Sequence, residues 1–197
     1  QIRHSINHCK NNIAVCEKQI KKCSSASLAI LETKKSAFKD NLLIWNTMGH
    51  IQMASIEMKE YMKRLSVESI DEWEERDVIK SVYTAIYETS KKLVDATADI
   101  FKFIKHYFPN YDYRAFTDVR KELCRFRESN TSELTRVRNT IDAHRDVEVS
   151  VQIEVIEGLH LANAVQLIVE YEGIINKLGN ETSPIKELGL KRLQACF

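Results

Sequence analysis

The residues of this sequence that are best suited to chemistry form one short segment late in the chain. It reads Arg138-Asn139-Thr140-Ile141-Asp142-Ala143-His144-Arg145-Asp146. Because a histidine titrates near neutral pH, His144 can act as a general base or a general acid. Arg138 carries a fixed positive charge that can stabilise the negative charge developing on a phosphodiester. The segment therefore holds the residue types needed for acid–base chemistry on a phosphodiester.

Helical spacing places Arg138 and His144 at the two edges of the apolar stripe that begins at Leu134. At about 100° per residue, Arg138 lies roughly 70° to one side of the stripe and His144 roughly 50° to the other. Within one chain the two side chains diverge, unless the helix ends near Asp142. Two chains related by a two-fold axis could bring them together. The structural alternative is an ion pair between Arg138 and Asp142 at i, i+4.

Arginine is concentrated around this segment. Seven of the 11 arginines lie within residues 114–145, together with one lysine. The forked guanidinium group suits phosphate and carboxylate recognition, so Arg136 and Arg145 could extend a phosphate-binding surface. The alternative is that five acidic residues of the same window neutralise the arginines as ordinary surface pairs. Those residues are Asp118, Glu122, Glu128, Glu133 and Asp142.

The composition predicts an all-α fold, an antiparallel helical bundle. Five glycines and two prolines in 197 residues are far fewer than average usage would give, which excludes most loop-rich β folds. Ser36 is the expected cap of the second helix. Asp71 begins the third helix, Asp112 opens the fourth, and Asn130 or Thr131 caps a short fifth.

The chain after the motif is ambiguous over residues 147–155. Apolar β-branched residues alternate there with polar ones, which is the pattern of a strand. Because no second strand is present to pair with it, and a lone strand is not stable, we expect an extended lead-in and a short helix. A last long helix is predicted to end at Gly179, and a small one to cover 184–195 with Pro184 in its first turn.

The N-terminal helix carries a heptad repeat that predicts a coiled-coil-like seam. Residues 1–35 are therefore interpreted as a helix that packs on or extends a domain formed by 36–197. Cysteines in the repeat could line a metal or redox site, but residues seven apart lie about 10 Å apart along a helix. We interpret them as small apolar side chains in a helix–helix seam. The repeating residues are Ile6, Ile13, Ile20, Cys9, Cys16 and Cys23.

Charge and cysteine usage limit the class of protein. A formal net charge of +1 argues against a broad basic surface for nucleic acid, so an RNA contact would have to be local. An odd number of cysteines without close pairs argues against a disulfide framework and fits a cytoplasmic location. No stretch of 18 apolar residues predicts a membrane span.

A metal site is not expected. Glu157 and His160 have the Glu-x-x-His spacing of a di-iron helical bundle, which needs a second such element. No other histidine of the sequence has a glutamate three residues before it. We therefore predict no metal and no other cofactor.

An all-α chain that carries Arg-Asn-x4-His late in the sequence, followed here by Arg145 and Asp146, resembles the HEPN superfamily (higher eukaryotes and prokaryotes nucleotide-binding). The likeness is greatest to the abortive-infection-like branch with an RN…AHRD signature, and it covers residues 36–180. It implies a metal-independent endoribonuclease site composed at a homodimer interface. Carried over to this sequence, the catalytic residues are Arg138, Asn139 and His144.

The resemblance also defines the alternatives. Some members of the family lack nuclease activity and act as dimerisation or partner-binding modules, so the motif is compatible with a scaffold. A toxin or phage-defence effector held by an antitoxin or another regulatory protein is the nuclease hypothesis with regulation added. The expected partners are thus a second copy of the chain, an RNA substrate and such a regulator, with no membrane.

Overall fold

The regular elements of the protein are helical throughout the part of the chain that its computed structural model describes, residues 2–24, 29–66, 71–143 and 148–196. They pack as an all-α helical bundle, which confirms the predicted fold class. No helix in these ranges is both long and apolar enough to cross a lipid bilayer. The elements are α1 (Ile2–Ser24), α2 (Ala29–Leu65), α3 (Glu72–Tyr107), α4 (Arg114–Val137), a π-helical segment (Arg138–Ala143), α5 (Val149–Glu157), α6 (Leu161–Thr182) and α7 (Ile185–Gln194).

Aspartate side chains begin two of the long helices, as predicted. Asp71 Oδ1 accepts hydrogen bonds from the backbone N–H groups of Trp73 and Glu74, each at 2.9 Å. Asp112 Oδ1 accepts one from the backbone N–H of Arg114 at 3.2 Å. These bonds satisfy N–H groups that have no partner within the first turn of a helix. The predicted starts of α3 and α4 are confirmed.

Other predicted boundaries are wrong, because residues that favour caps are also accommodated inside helices. α2 begins at Ala29, so Ser36 lies within it. α4 runs without a break through Asn130, whose Nδ2 donates to the carbonyl oxygen of Phe126 at 2.8 Å. A side chain bonded to the carbonyl four residues back is satisfied without ending the helix. α6 likewise continues through Gly179.

The alternating segment after the motif is a helix, as predicted. Glu148 is extended, with φ −51° and ψ 138°, and α5 begins directly after it. Residues two positions apart in a helix point to different sides of it. The alternating apolar residues of this segment therefore cannot all be buried on one side. Val155 is buried, whereas three others are exposed on the surface of α5, namely Val149, Val151 and Ile153.

The chain divides into two units, each assembled from several stretches of sequence. Unit 1 comprises Gln1–Met53, Leu93–Arg120 and Lys177–Phe197, and unit 2 comprises Ala54–Lys92 and Lys121–Asn176. The helices α2, α3, α4 and α6 each contribute residues to both units. The proposed boundary at residue 35 falls within α2, and the division into 1–35 and 36–197 stays a prediction.

The heptad cysteines of α1 are buried in unit 1. Cys9 and Cys16 form an apolar cluster with Trp45 and Met48 of α2, and Cys23 is buried as well. Burial raises the pKa of the Cys9 and Cys16 thiols above the usual value. A protonated, buried thiol behaves as a small apolar group. These contacts support the packing interpretation of the repeat.

The core of unit 2 is built around an aromatic pair. Tyr171 is fully buried and stacks on Phe126, with 5.3 Å between the ring centroids. The Tyr171 hydroxyl lies 2.8 Å from Thr89 Oγ1, so the buried phenol keeps a hydrogen-bond partner. Leu134 and Val137 are also buried, as the apolar stripe predicts. This core holds the end of α4, which leads directly into the motif.

Candidate functional site

The motif begins where α4 changes from α-helical to π-helical geometry. The π-helical segment covers Arg138–Ala143. Its hydrogen bonds join residues five apart, and such segments occur frequently at functional sites. Because the rotation per residue differs from that of an α-helix, the regular-helix angle predicted for Arg138 does not apply here. The first six residues of the motif, Arg138–Ala143, therefore lie on a wider turn than an α-helix would give.

The Arg138 guanidinium group is held by three side chains. Its Nε donates to Glu88 Oε1 at 3.2 Å, and its Nη1 donates to Asn139 Oδ1 at 3.1 Å. The guanidinium carbon also lies 5.3 Å from the centre of the Tyr87 ring. The Arg138 side chain nevertheless stays 32% exposed, and that of Glu88 40%. Arg138 is thus oriented by its neighbours while part of the cation remains accessible.

Glu88 and Tyr87 were missed by the sequence analysis. They lie on α3, 50 and 51 residues before Arg138. The sequence predicts the turn between α3 and α4. If the chain folds back on itself at that turn, Glu88 lies opposite a residue near 133, roughly one helical turn from Arg138. The antiparallel pairing of the two helices therefore favoured a carboxylate of α3 as the partner of Arg138, but Asp77 would have fitted about as well as Glu88.

The structure describes some of the other predicted site residues and not the rest. Asn139 lies beside Arg138 and accepts its hydrogen bond. Arg136 is exposed on the last turn of α4. His144 and Arg145 fall outside the described residues, as does the side chain of Asp142. The structure thus brings together Arg138 and Asn139 of the predicted site, and the place of His144 stays a prediction.

A groove lies next to Arg138 in unit 2. We call it the Tyr61 groove. Its volume is about 330 Å³, within the range of small-molecule sites. Glu88 belongs both to the groove wall and to the ion pair with Arg138, so the guanidinium group is linked to the groove through this one carboxylate. Its lining residues are Tyr61, Lys80, Ser81, Thr84, Ala85 and Glu88.

A second cavity of unit 2, about 170 Å³ in volume, has a different lining. We call it the acidic cavity. Tyr83 at its wall donates a hydrogen bond to Glu133 Oε1 at 3.2 Å. Burial, aided by the charge and hydrogen bond of Glu133, raises the pKa of Tyr83 to about 12. The phenol therefore stays a donor at neutral pH. The polar lining residues are Tyr83, Asn130, Glu133, Asn163, Gln166 and Glu170.

The arginines of the predicted window are divided between the two units. In unit 1, Arg114 donates to Asp112 Oδ2 at 2.7 Å, and the Arg120 guanidinium group lies 5.6 Å from the Phe101 ring centre. Arg114 therefore contributes to the start of α4, and Arg120 contributes to the packing of its first turns. The described arginines of the window that belong to unit 2 are Arg125, Arg127, Arg136 and Arg138.

Metal-binding side chains are not grouped in the described ranges. No set of three histidine, cysteine, aspartate or glutamate residues there could hold a metal ion. Glu157 is the last residue of α5, and His160 precedes α6. The two residues therefore do not share one face of a helix, as a di-iron element would require.

Comparisons of the chain with protein-family models, with curated proteins and with solved structures found no match. The candidate site is therefore defined by its own residues. Its described part consists of Arg138, its hydrogen-bond partners Glu88 and Asn139, the Tyr87 ring and the adjoining Tyr61 groove.

Proposed function

We propose that the protein is a metal-independent endoribonuclease of the HEPN type that acts as a homodimer. The ribose 2′-hydroxyl attacks the adjacent phosphorus, and the bond from phosphorus to the 5′ oxygen of the next nucleotide breaks. His144 takes the proton from the 2′-hydroxyl or gives one to the leaving 5′ oxygen, and water makes the other of these two proton transfers. Arg138 stabilises the negative charge on the phosphorane, and the Asn139 amide orients His144 or a phosphate oxygen. The products carry a 2′,3′-cyclic phosphate and a 5′-hydroxyl.

The observation that best supports this proposal is the setting of Arg138. Its side chain is partly exposed, a carboxylate and an amide orient it, and it begins the π-helical turn that precedes His144 in the sequence. Electrostatic stabilisation works best when the charge is positioned before the reaction starts. Glu88 and Asn139 provide that positioning for Arg138. The resemblance of the motif to HEPN nucleases supports the same roles, and Arg136 and Arg145 extend the phosphate-binding surface.

Exposed apolar side chains support the homodimer. Val149, Val151 and Ile153 of α5 are 68%, 39% and 40% exposed, and α5 contacts the π-helical segment. A second copy that covers α5 around a two-fold axis would therefore bring a second motif close to the first. Buried free thiols in unit 1 fit the reducing cytoplasm, which is where we place the enzyme.

The test of cleavage compares two histidine variants. Purified wild type, His144→Ala and His160→Ala are incubated with total RNA in EDTA, and the products are analysed by gel electrophoresis. We expect His144→Ala to lose at least about 100-fold of the cleavage rate because general acid–base catalysis contributes that much. His160, exposed in unit 2, serves as the matched control and keeps wild-type activity. Equal cleavage by wild type and a folded, dimeric His144→Ala would contradict the proposal.

The test of the dimer compares two valine variants. A glutamate at Val151 would bury a charge in the proposed interface, so Val151→Glu should weaken the dimer at least about tenfold. Val169 is exposed on α6 of the same unit, and Val169→Glu should leave the dimer intact. Sedimentation velocity across a concentration series measures both. A monomeric wild type, or equal loss with both variants, would contradict the interface on α5.

The exposed face of α5 also favours a second function, a non-catalytic module for dimerisation or partner binding. In that case Val151→Glu disrupts an assembly, whereas His144→Ala and wild type show no difference with RNA. The two functions are therefore separated by the same four variants.

A further inference from the structure

The residues that line the Tyr61 groove indicate which kind of ligand binds beside Arg138. The groove runs along α3 and includes Tyr61 of α2. Glu88 at its wall is the carboxylate that holds Arg138, with 3.2 Å between Glu88 Oε1 and Arg138 Nε. A strand whose phosphate is bound by Arg138 would thus have its neighbouring nucleotide at the entrance of this groove.

The lining of the groove matches the parts of a nucleotide. Tyr61 supplies an aromatic ring on which a base can stack, whatever its identity. Burial and the nearby Glu57 raise the pKa of Tyr61, so the ring stays neutral. Ser81 and Thr84 supply hydroxyl groups, and Lys80 supplies a cation for a phosphate.

Lys80 is bound in a way that a phosphate can replace. Its Nζ lies 2.7 Å from Asp77 Oδ1, and the Asp77 side chain is 61% exposed. The Lys80 side chain is 23% exposed, and an ion pair to a carboxylate as exposed as Asp77 contributes little to stability. An RNA phosphodiester, whose single negative charge is shared by two oxygens, offers Lys80 a charge-assisted hydrogen bond in exchange. Glu88 is paired with Arg138, which offsets part of the negative charge at the groove wall.

The acidic cavity of the same unit differs from the Tyr61 groove in charge and in volume. Glu133 and Glu170 line the acidic cavity, and no lysine or arginine is among the residues that line it in the described structure. Its volume of about 170 Å³ is roughly half that of the groove. An anionic nucleotide is therefore favoured by the Tyr61 groove and disfavoured by the acidic cavity.

We propose that the Tyr61 groove binds one nucleotide of single-stranded RNA next to the phosphate held by Arg138, with the base on Tyr61 and the next phosphate on Lys80. The proposal rests on the proposed nuclease function for the identity of the ligand. It requires a single strand because a paired base is stacked within its duplex and not available to a side chain.

Binding is tested with RNA that cannot be cleaved. A fluorescent oligonucleotide of mixed sequence with 2′-O-methyl groups throughout lacks the attacking hydroxyl, and fluorescence anisotropy gives Kd for wild type and variants. Tyr61→Leu should weaken binding at least about fivefold, the loss of one stacked base. Tyr61→Phe, which keeps the ring, should stay within about twofold of wild type.

Salt dependence separates the role of Lys80 from general weakening. Each phosphate contact to single-stranded RNA contributes about 0.7 to the slope of log Kd against log salt. Lys80→Gln should lower that slope by about this amount, whereas Tyr61→Leu should leave it unchanged. Lys91→Gln, an exposed lysine of the same helix and unit, is the control and should keep the wild-type slope and Kd.

The outcomes distinguish this proposal from the proposed function. Wild-type Kd and slope in both Tyr61→Leu and Lys80→Gln would overturn the groove proposal, even where RNA with free 2′-hydroxyls is cleaved. Equal binding of a duplex of the same sequence would overturn it as well. A wild type that binds the oligonucleotide through Tyr61 and Lys80, but does not cleave natural RNA, would support the groove and contradict the nuclease.

Discussion

Two arginines, one in each unit, are surrounded by the same kinds of side chain. In unit 1, Arg192 of α7 lies over the Tyr107 ring at 4.3 Å, and its Nε is 3.9 Å from Asp40 Oδ2. In unit 2, Arg138 lies over Tyr87 and hydrogen-bonds Glu88. Each cluster thus consists of an arginine, a tyrosine and a carboxylate.

The two clusters differ in burial and in what adjoins them. The Arg192 and Asp40 side chains are 15% and 21% exposed, about half the values for Arg138 and Glu88. Arg192 Nε and Asp40 Oδ2 are buried without a hydrogen-bond partner among the described residues. Arg138 has well-formed hydrogen bonds and lies beside a groove. The same residue types therefore produce a packed contact in unit 1 and an accessible cation in unit 2.

The difference shows that residue type does not separate a structural arginine from one that can bind a ligand. The Arg192 side chain lies over the Tyr107 ring and is only 15% exposed, so little of it is open to an anion. Arg138 has its geometry set by Glu88 and Asn139, and its remaining surface is open. Accessibility combined with orientation is what makes Arg138 the candidate.

The largest expected contrast is in catalysis. Arg138→Met should lower the rate of RNA cleavage at least about 100-fold, the usual cost of removing one donor from a developing anion. Arg192→Met should leave the rate per folded molecule unchanged. Cleavage of a fluorogenic RNA, normalised to folded protein by circular dichroism, measures both. Comparable losses in the two variants would mean that the clusters do not differ in function.

The next contrast concerns the packing beside Arg192. A Cβ at Gly189 of α7 would lie 2.7 Å from Asn41 Oδ1 and 2.9 Å from Ile44 Cδ1. Asn41 cannot move away easily, because its Nδ2 donates to the carbonyl oxygens of Ala37 and Gly189. Gly189→Ala should therefore lower the free energy of unfolding by about 2 kcal/mol.

Gly49→Ala is the control for that substitution. Nothing lies within 4 Å of the Cβ that an alanine would add at Gly49 of α2 in the same unit. This variant should gain about 0.5–1 kcal/mol, since alanine favours a helix over glycine. Urea unfolding followed by circular dichroism compares the two, and equal stability would show that α7 is not tightly packed on α2.

The free energy of unfolding should also differ between the two arginine variants, and here the larger loss is expected for Arg192→Met. Arg192→Met leaves Asp40 buried without its ion-pair partner and should cost about 1–2 kcal/mol of unfolding free energy. Arg138→Met leaves a carboxylate that water can reach and should cost less than about 1 kcal/mol. Urea titrations of both variants are the measurement. A larger loss from Arg138→Met would reverse the assignment of structural and accessible clusters.

The smallest expected effect is the pH dependence of the Arg192 cluster. Burial raises the pKa of Asp40 above the usual value, although Arg192 and His106 oppose the shift. The folded protein therefore binds this proton more tightly than the unfolded chain, and the stability contributed by Asp40 rises as pH falls through its folded pKa. Wild type should gain stability relative to Asp40→Asn between pH 7 and pH 4.

Asp112 provides the control of opposite sign in the same unit. Its hydrogen bonds to Arg114 lower the pKa of Asp112 to about 2. Wild type should consequently lose stability relative to Asp112→Asn as pH falls below the unfolded value near 4. Thermal unfolding at several pH values measures both pairs. Parallel curves for Asp40→Asn and wild type would show that Asp40 is solvated like an ordinary surface carboxylate.

Local features were predicted correctly where the cause is itself local. The caps at Asp71 and Asp112 depend on bonds within three residues, and the burial of Cys9 and Cys16 follows from a repeat along one helix. The predicted start at Ser36 was wrong because a residue that favours a cap is also tolerated inside a helix. Local preference states where a helix can begin, and packing decides where it does.

Two residues of the candidate site were chosen from the sequence, and their catalytic roles stay predictions. Arg138 and Asn139 were chosen from the motif, and they lie together. The partners Glu88 and Tyr87, and the groove with Tyr61 and Lys80, were missed, because they come from α2 and α3, far away in sequence. The π-helical turn was missed too, since its i, i+5 bonding has no residue signature comparable to a cap.

The sequence by itself determined that this protein is helical, where several helices begin and which short segment could carry chemistry. These properties follow from the scarcity of glycine and proline, from capping side chains and from residue types, all of which act over a few positions. The tertiary structure alone decided that Arg138 is accessible while Arg192 is packed away, and that Glu88 holds Arg138. Those outcomes depend on how helices distant in sequence are placed side by side, which no local pattern encodes.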